Sequence, residues 1–297
     1  LFTYLLYRVF VYQKSKWHVM CNIRSSSVPL LPNTIFHTVL IMGGKIKAHP
    51  TGSNLTTWCK ANWRGILSEF LSTLMLVLLG CMSCVPIPGV DTSIYAPFAF
   101  GCVVMFNVQI FGHISGAFMN PTVTLASVIW GSTPIVLGAV YVVAECVGAV
   151  LGYGILIALS PIDLVSPGVC VTRPYTGVTA LQTLGIEISI TAALSFICMS
   201  VWDPVNEHKQ DSTSIKFGVT ILGLSLVAGP LTGASMNPAR SLGPAVWTGV
   251  WTEHWAYWVG PLAGSGLAAV LYKYVFFKKL PIEGELELTN KANGREV

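Results

Sequence analysis

The chain has 297 residues, 53% of them hydrophobic and only 10% charged, with a mean hydropathy of +0.65. An ordinary soluble domain carries about 25% charged residues, so the composition argues against a soluble fold, and ungapped apolar runs of membrane length argue against it further. The formal net charge of +4 is too small to argue for a nucleic-acid partner.

In chain order, residues 1–63 read as a flexible cytoplasmic arm. Its apolar start, residues 1–12, is too short to span and lacks a signal-peptide cleavage site. A spanning helix needs about 20 mostly apolar residues. Six runs approach or reach that length: 65–85, 96–111, 134–159, 179–201, 217–231 and 255–277. The second and fifth look short, as expected if each leads into a segment that re-enters the membrane. Residues 280–297 read as a cytoplasmic tail. Basic residues gather before the first span (Arg8, Lys14, Lys16, Arg24, Lys45, Lys47, Lys60, Arg64) and at the close of the last (Lys273, Lys278, Lys279). With six spans both ends lie on one side, which the positive-inside rule makes cytoplasmic. Plasma membrane is the expected address.

The first span carries Glu69 and ends on Cys81-x-x-Cys84. No cysteine spacing fits a metal site or a cofactor, and these two read as packing residues. After the second span comes Gly112-His113-Ile114-Ser115-Gly116-Ala117-Phe118-Met119-Asn120-Pro121-Thr122. After the fifth comes Gly229-Pro230-Leu231-Thr232-Gly233-Ala234-Ser235-Met236-Asn237-Pro238-Ala239, displaced by 117 positions. Glu187 in the fourth span echoes Glu69 at a displacement of 118. The chain is therefore an internal repeat, about 64–160 and 178–279, with three spans per half. An odd number of spans inverts the second half relative to the first, and inverted repeats place a solute path where broken helices meet near the midplane.

Each box reads as the start of a half-helix. The Gly and Ser/Thr cluster interrupts the preceding helix, Asn serves as N-cap, and Pro takes the first helical position. Short apolar segments follow, 123–130 and 242–247. A Gly-rich turn outside the membrane is the alternative, but it leaves two equivalent copies in inverted halves without a reason. Arg240 follows the second box, and a charge at membrane depth costs about 2.5–3.5 kcal/mol even on the lenient insertion scale. It must face water or a partner. The third span contributes Glu145, with no role legible from its surroundings. Gly148, Gly152 and Gly154 on that span, and Gly260, Gly264 and Gly266 on the sixth, read as close helix packing. His113 reads as a packing or loop-bonding residue ahead of a gate.

These boxes, with Asn237-Pro238-Ala239-Arg240-Ser241 and His254-Trp255-x-Tyr257-Trp258-Val259-Gly260-Pro261, resemble the aquaporin (major intrinsic protein) family over roughly residues 64–279. The resemblance implies an all-α membrane fold of six spanning helices and two re-entrant half-helices. It implies a non-enzymatic channel for water, without cofactor or metal, in a homotetramer. Asn120, Pro121, Thr122, Asn237, Pro238 and Ala239 are then the pore boxes. The two asparagines would donate to a passing water and break the donor chain that protons need. Carbonyls of Gly116, Ala117, Phe118, Gly233, Ala234 and Ser235 would form an acceptor ladder, and Glu69 and Glu187 would support the loops. Counting from the boxes as the family does gives a filter of Phe100, Ser225, Ala234 and Arg240. Ser225 stands where water-selective members carry His, which widens the constriction and points to glycerol or urea. Against this, Ser241 replaces the Asp that glycerol channels of the family carry, while Ala245, Tyr257 and Trp258 follow the water-channel pattern. The combination resembles the glycerol-conducting, water-channel-derived branch of insects. Thr122 departs from the usual Ala, and Glu145 from a common Gln. Alternatives from the residues are a strictly water-selective channel, an ion-coupled transporter and a non-conducting junctional protein.

Overall fold

A computed structural model describes residues 55–278. The expected tail and the first 54 positions of the expected arm lie outside them. The first helix, α1 (Leu55–Met82), begins nine positions before the boundary expected at 64. It is followed by α2 (Thr92–Ser115), the half-helix α3 (Pro121–Trp130), α4 (Ile135–Leu159) and α5 (Ala180–Trp202). A short 3-10 segment (Pro204–Ser212) leads into α6 (Thr213–Thr232), the half-helix α7 (Pro238–Thr248) and α8 (Ala256–Leu271), which ends in a π turn (Tyr272–Phe276). Six of these helices are long and apolar enough to cross a membrane.

The second span is not short. α2 has 24 residues, because Asp91 caps it before the apolar run begins: Asp91 Oδ1 accepts from Ser93 N at 3.0 Å and from Ser93 Oγ at 2.6 Å. Asn107, Gln109 and His113 break the apolar pattern without breaking the helix, and Gln109 and His113 line an internal cavity. α6 likewise has 20 residues. α5 opens with a capping box, Gln182 N donating to Thr179 Oγ1 at 3.3 Å and Thr179 N to Gln182 Oε1 at 2.9 Å.

The packing repeats the sequence repeat. α1 lies on α4 and α5 on α8, with Gly148 and Gly152 against the backbone of Phe70 and Leu74, and Gly264 against that of Ile188. α2 crosses α6 at Gly101 and Gly218. A Cβ on Gly101 would stand 2.7 Å from Gly218 O, and one on Gly218 2.9 Å from Gly101 O. These two glycines are also 117 positions apart, so the close crossing is one residue meeting its own repeat. Gly154 serves another purpose, receiving the Trp247 ring of α7. Outward faces carry Ile135, Val143, Leu159, Val219, Val227 and Leu267, all exposed. Such a surface suits lipid, not water.

Each half-helix spans roughly 15 Å at 1.5 Å per residue, half of a hydrocarbon core about 30 Å thick. Pro sits at the N-terminal position and Gly ends both in the left-handed region, Gly131 at φ 100° and Gly249 at φ 70°. The C-terminus of α3 is further closed by Lys273 Nζ, which donates to Ile129 O at 2.5 Å and Trp130 O at 3.2 Å. A cation there complements the negative end of the helix dipole.

Candidate functional site

The two half-helices meet N-terminus to N-terminus through their caps. Asn120 Oδ1 accepts from Thr122 N at 2.9 Å, and Asn237 Oδ1 from Arg240 N at 3.1 Å. Their amide nitrogens reach across: Asn120 Nδ2 donates to Met236 O at 2.9 Å and Asn237 Nδ2 to Met119 O at 2.7 Å. Each Nδ2 carries two hydrogens, so one per side chain remains beyond the cross-link. Thr122 adds a bond that Ala could not make, its Oγ1 donating to Met236 O at 3.1 Å.

The loops before the caps are folded alike. Ala117 and Met119 adopt φ of 50° and 54°, and Ala234 and Met236 of 44° and 51°. Left-handed non-glycine residues cost on the order of 1–3 kcal/mol each, so the surroundings must hold them. Two carboxylates do. Glu69 accepts from Phe118 N at 3.0 Å and Met119 N at 2.8 Å. Glu187 accepts from Ser235 N at 3.0 Å, Met236 N at 2.9 Å and Thr232 Oγ1 at 2.8 Å. Both glutamates are fully buried.

A cavity of about 830 Å³ runs past both caps. It touches Ser93 in the first turn of α2 and His113 in the last, positions about 30 Å apart along a helix, and so crosses the membrane-spanning region. Asn120, Asn237 and the loop residues Gly116, Ala117, Phe118, Gly233, Ala234 and Ser235 line it. His113, expected to pack, is exposed at one mouth.

Phe100, Ser225, Ala234 and Arg240 line the same cavity. The Phe100 ring is pressed onto Gly80, and the Arg240 guanidinium stands 4.9 Å from its centroid. Arg240 Nη1 donates to Cys170 O at 2.8 Å, and Nη2 approaches Cys170 Sγ at 3.6 Å. A backbone carbonyl, not a carboxylate, holds this cation, and three of its five N–H donors stay outside these contacts.

Two features of the site were not read from the sequence. Cys81, expected as a packing residue, is disulfide-bonded to Cys170 across 89 positions, with the Cα atoms 5.4 Å apart. A hydroxyl chain joins the Cys170 loop to the second box. Thr172 Oγ1 donates to Ser241 Oγ at 2.7 Å, Ser241 shares a 2.5 Å bond with Ser235, and Ser235 Oγ donates to Asn237 O at 3.0 Å. The only local signal was small polar residues in a loop. Glu145 is placed under α3, accepting from Thr124 Oγ1 at 2.6 Å.

Six membrane-length helices, two opposed half-helices and a through-going cavity define a membrane channel. Residues 56–272 match the family model described as "Major intrinsic protein", and the chain belongs to that family. It is 39% identical to mouse "Aquaporin-4" over 237 residues, 77% of this chain and 72% of the relative. It is 40% identical to human "Aquaporin-4" over 74% of this chain and 69% of the relative. Sheep "Lens fiber major intrinsic protein" is 34% identical over 73% and 83%. The fold is also that of the solved aquaglyceroporin from Plasmodium falciparum, with a TM-score of 0.65 and 22% identity over 72% of this chain and 96% of that one. The protein is a passive water channel of the membrane, not an enzyme.

Proposed function

We propose that this channel conducts glycerol and urea together with water, through a filter of Phe100, Ser225, Ala234 and Arg240. The observation that carries the reading is Ser225, a small hydroxyl-bearing side chain on the cavity wall that also holds Arg240 and Phe100. An imidazole there would fill space that a serine leaves open. The guanidinium offers fixed donors to a solute hydroxyl or carbonyl, while the Phe100 face accepts carbon. A polyol has both sides.

The same geometry supports exclusion of protons and cations. Each half-helix N-terminus carries about +0.5 charge, both point to the middle, and the remaining amide hydrogens of Asn120 and Asn237 can hold one water by its oxygen. That water turns its own hydrogens outward, which interrupts proton hopping. Arg240 adds a positive charge at one mouth.

Both termini face the cytoplasm in this reading, in the plasma membrane, and the Arg240 mouth faces outward. Support comes from the basic residues flanking the spans and from the disulfide at the Arg240 end, since such bonds persist in oxidising compartments. The apolar outer faces suit a homotetramer in lipid.

The test is swelling or shrinking of proteoliposomes in water, glycerol and urea gradients. Ser225→His is expected to cut glycerol and urea flux while sparing water. Unchanged solute flux would refute the filter, and absence of solute flux in the unaltered protein would leave a strictly water-selective channel.

A further inference from the structure

We propose that the Cys81–Cys170 disulfide is the positioning element of the pore arginine, so that a small dithiol entering from the Arg240 mouth changes the channel's solute selectivity. The inference rests on the reading of Arg240 as a filter residue.

Arg240 sits on α7, but the acceptor that fixes its guanidinium belongs to the loop between α4 and α5. That acceptor is the carbonyl of Cys170, the residue whose side chain is tied to α1. Cys170 has φ of 64°, a conformation that L-residues adopt only when their surroundings hold it. The bridge, the carbonyl grip and the left-handed backbone therefore fall on one residue. On either side the loop is held by weaker links: Tyr153 OH donates to Val169 O at 2.7 Å, and Thr172 Oγ1 to Ser241 Oγ at 2.7 Å. The first bond holds the peptide before Cys170, and in the peptide that carries the Cys170 carbonyl Val171 N donates to Gly168 O at 3.3 Å. Without the bridge, only the guanidinium and that long turn bond would hold the carbonyl in place.

The bridge is also reachable. Cys81 is fully buried, but Cys170 lines the cavity beside Arg240. A dithiol such as dithiothreitol would attack there, cleaving the S–S bond to two cysteine thiols and leaving as its cyclic disulfide. The two electrons and two protons come from the reagent. Once the carbonyl is free to move, Arg240 loses its fixed position at the wall, keeps only its contact with the Phe100 ring, and can swing into the lumen. The gap narrows more for glycerol than for water.

The experiment uses the full chain in proteoliposomes, with glycerol and water permeability measured per reconstituted protein before and after dithiothreitol. The glycerol-to-water ratio is expected to fall on the order of threefold on reduction, the loosening of one hydrogen bond. Cys81→Ser/Cys170→Ser should start at the reduced ratio and ignore the reagent. An unchanged ratio on complete reduction, judged by thiol labelling, overturns the proposal, as does a double variant that still responds. Reduction acts on folded protein, so the result does not depend on the variant folding. Arg240→Ala separates the two readings. If it shifts the ratio while reduction does not, the filter reading stands and the staple falls. If reduction shifts the ratio and Arg240→Ala does not, the disulfide does not act through the arginine and the proposal is overturned.

Discussion

The two re-entrant loops share a backbone and differ in what hangs from it. Both pass through left-handed alanine and methionine, hang by two amides on a buried glutamate, and cross-link through asparagine. Past each Asn-Pro pair the likeness ends, with Thr122 standing against Ala239. The first half has Val123 and the second Arg240; one position later Thr124 faces Arg240's neighbour Ser241 in the repeat. Thr124 turns to Glu145, and Ser241 to Thr172. The repeat thus builds a symmetric centre, and the arginine to which we assign solute selection is added to one mouth only.

The largest effect should come from the shared part. Glu187→Ala leaves two buried amides without an acceptor and the Thr232 hydroxyl with only a long 3.5 Å bond to Ala228 O, and Glu69→Ala leaves two amides. At about 1–3 kcal/mol per unpaired group, either should lower the thermal midpoint in detergent sharply, Glu187→Ala more. Equal losses would show that Thr232 contributes nothing to the difference. Arg240→Val gives the second loop the residue of the first. It should leave stability nearly unchanged and raise cation leak roughly tenfold or more, the loss of one charge within a few ångströms of the path. A tight variant would mean that the half-helix termini alone exclude ions. Asn237→Asp should also weaken ion exclusion, measured as conductance across a planar bilayer, because a carboxylate replaces a donor at the centre.

A smaller effect is expected at the unequal anchors. Thr124→Val removes the hydrogen bond to Glu145, whose second oxygen has no partner among the described residues, and should destabilise by about 1–3 kcal/mol. Ser241→Ala breaks the link from Thr172 to Ser235 and should alter glycerol flux more than stability. The smallest effect concerns pH. His254 lies just before α8, half-buried, and burial pushes its ionisation below the usual histidine range. Its Nε2 accepts from Trp258 Nε1 at 3.2 Å, which requires the neutral ring. The unfolded chain therefore binds the proton first, and this contribution to stability fades as pH falls below about 6.5. A thermal midpoint that drops between pH 7 and 5.5, with the drop reduced in His254→Phe, is the expected outcome.

Much of this was legible beforehand where the cause is local. Asn as N-cap and Pro at the first helical position need only neighbouring residues, so the start of both half-helices could be read off the boxes. The span ends were harder. α2 looked short because Asn107 and His113 interrupt its apolar run, yet a helix that borders a cavity tolerates polar residues on one side. Lys273 read as a basic flank, and it caps α3 from 143 positions away.

By itself the amino-acid sequence determined the repeat, its inversion, the paired caps and a lone arginine that must meet water. These follow from the repeated motif, the odd number of spans per half, the local rules of helix capping and the cost of burying a charge. Only the tertiary structure decided what holds that arginine. The Cys170 carbonyl, the bridge to Cys81 and the hydroxyl chain from Thr172 depend on segments far apart in the chain being brought together, and no local pattern encodes which distant loop a folded helix end will meet.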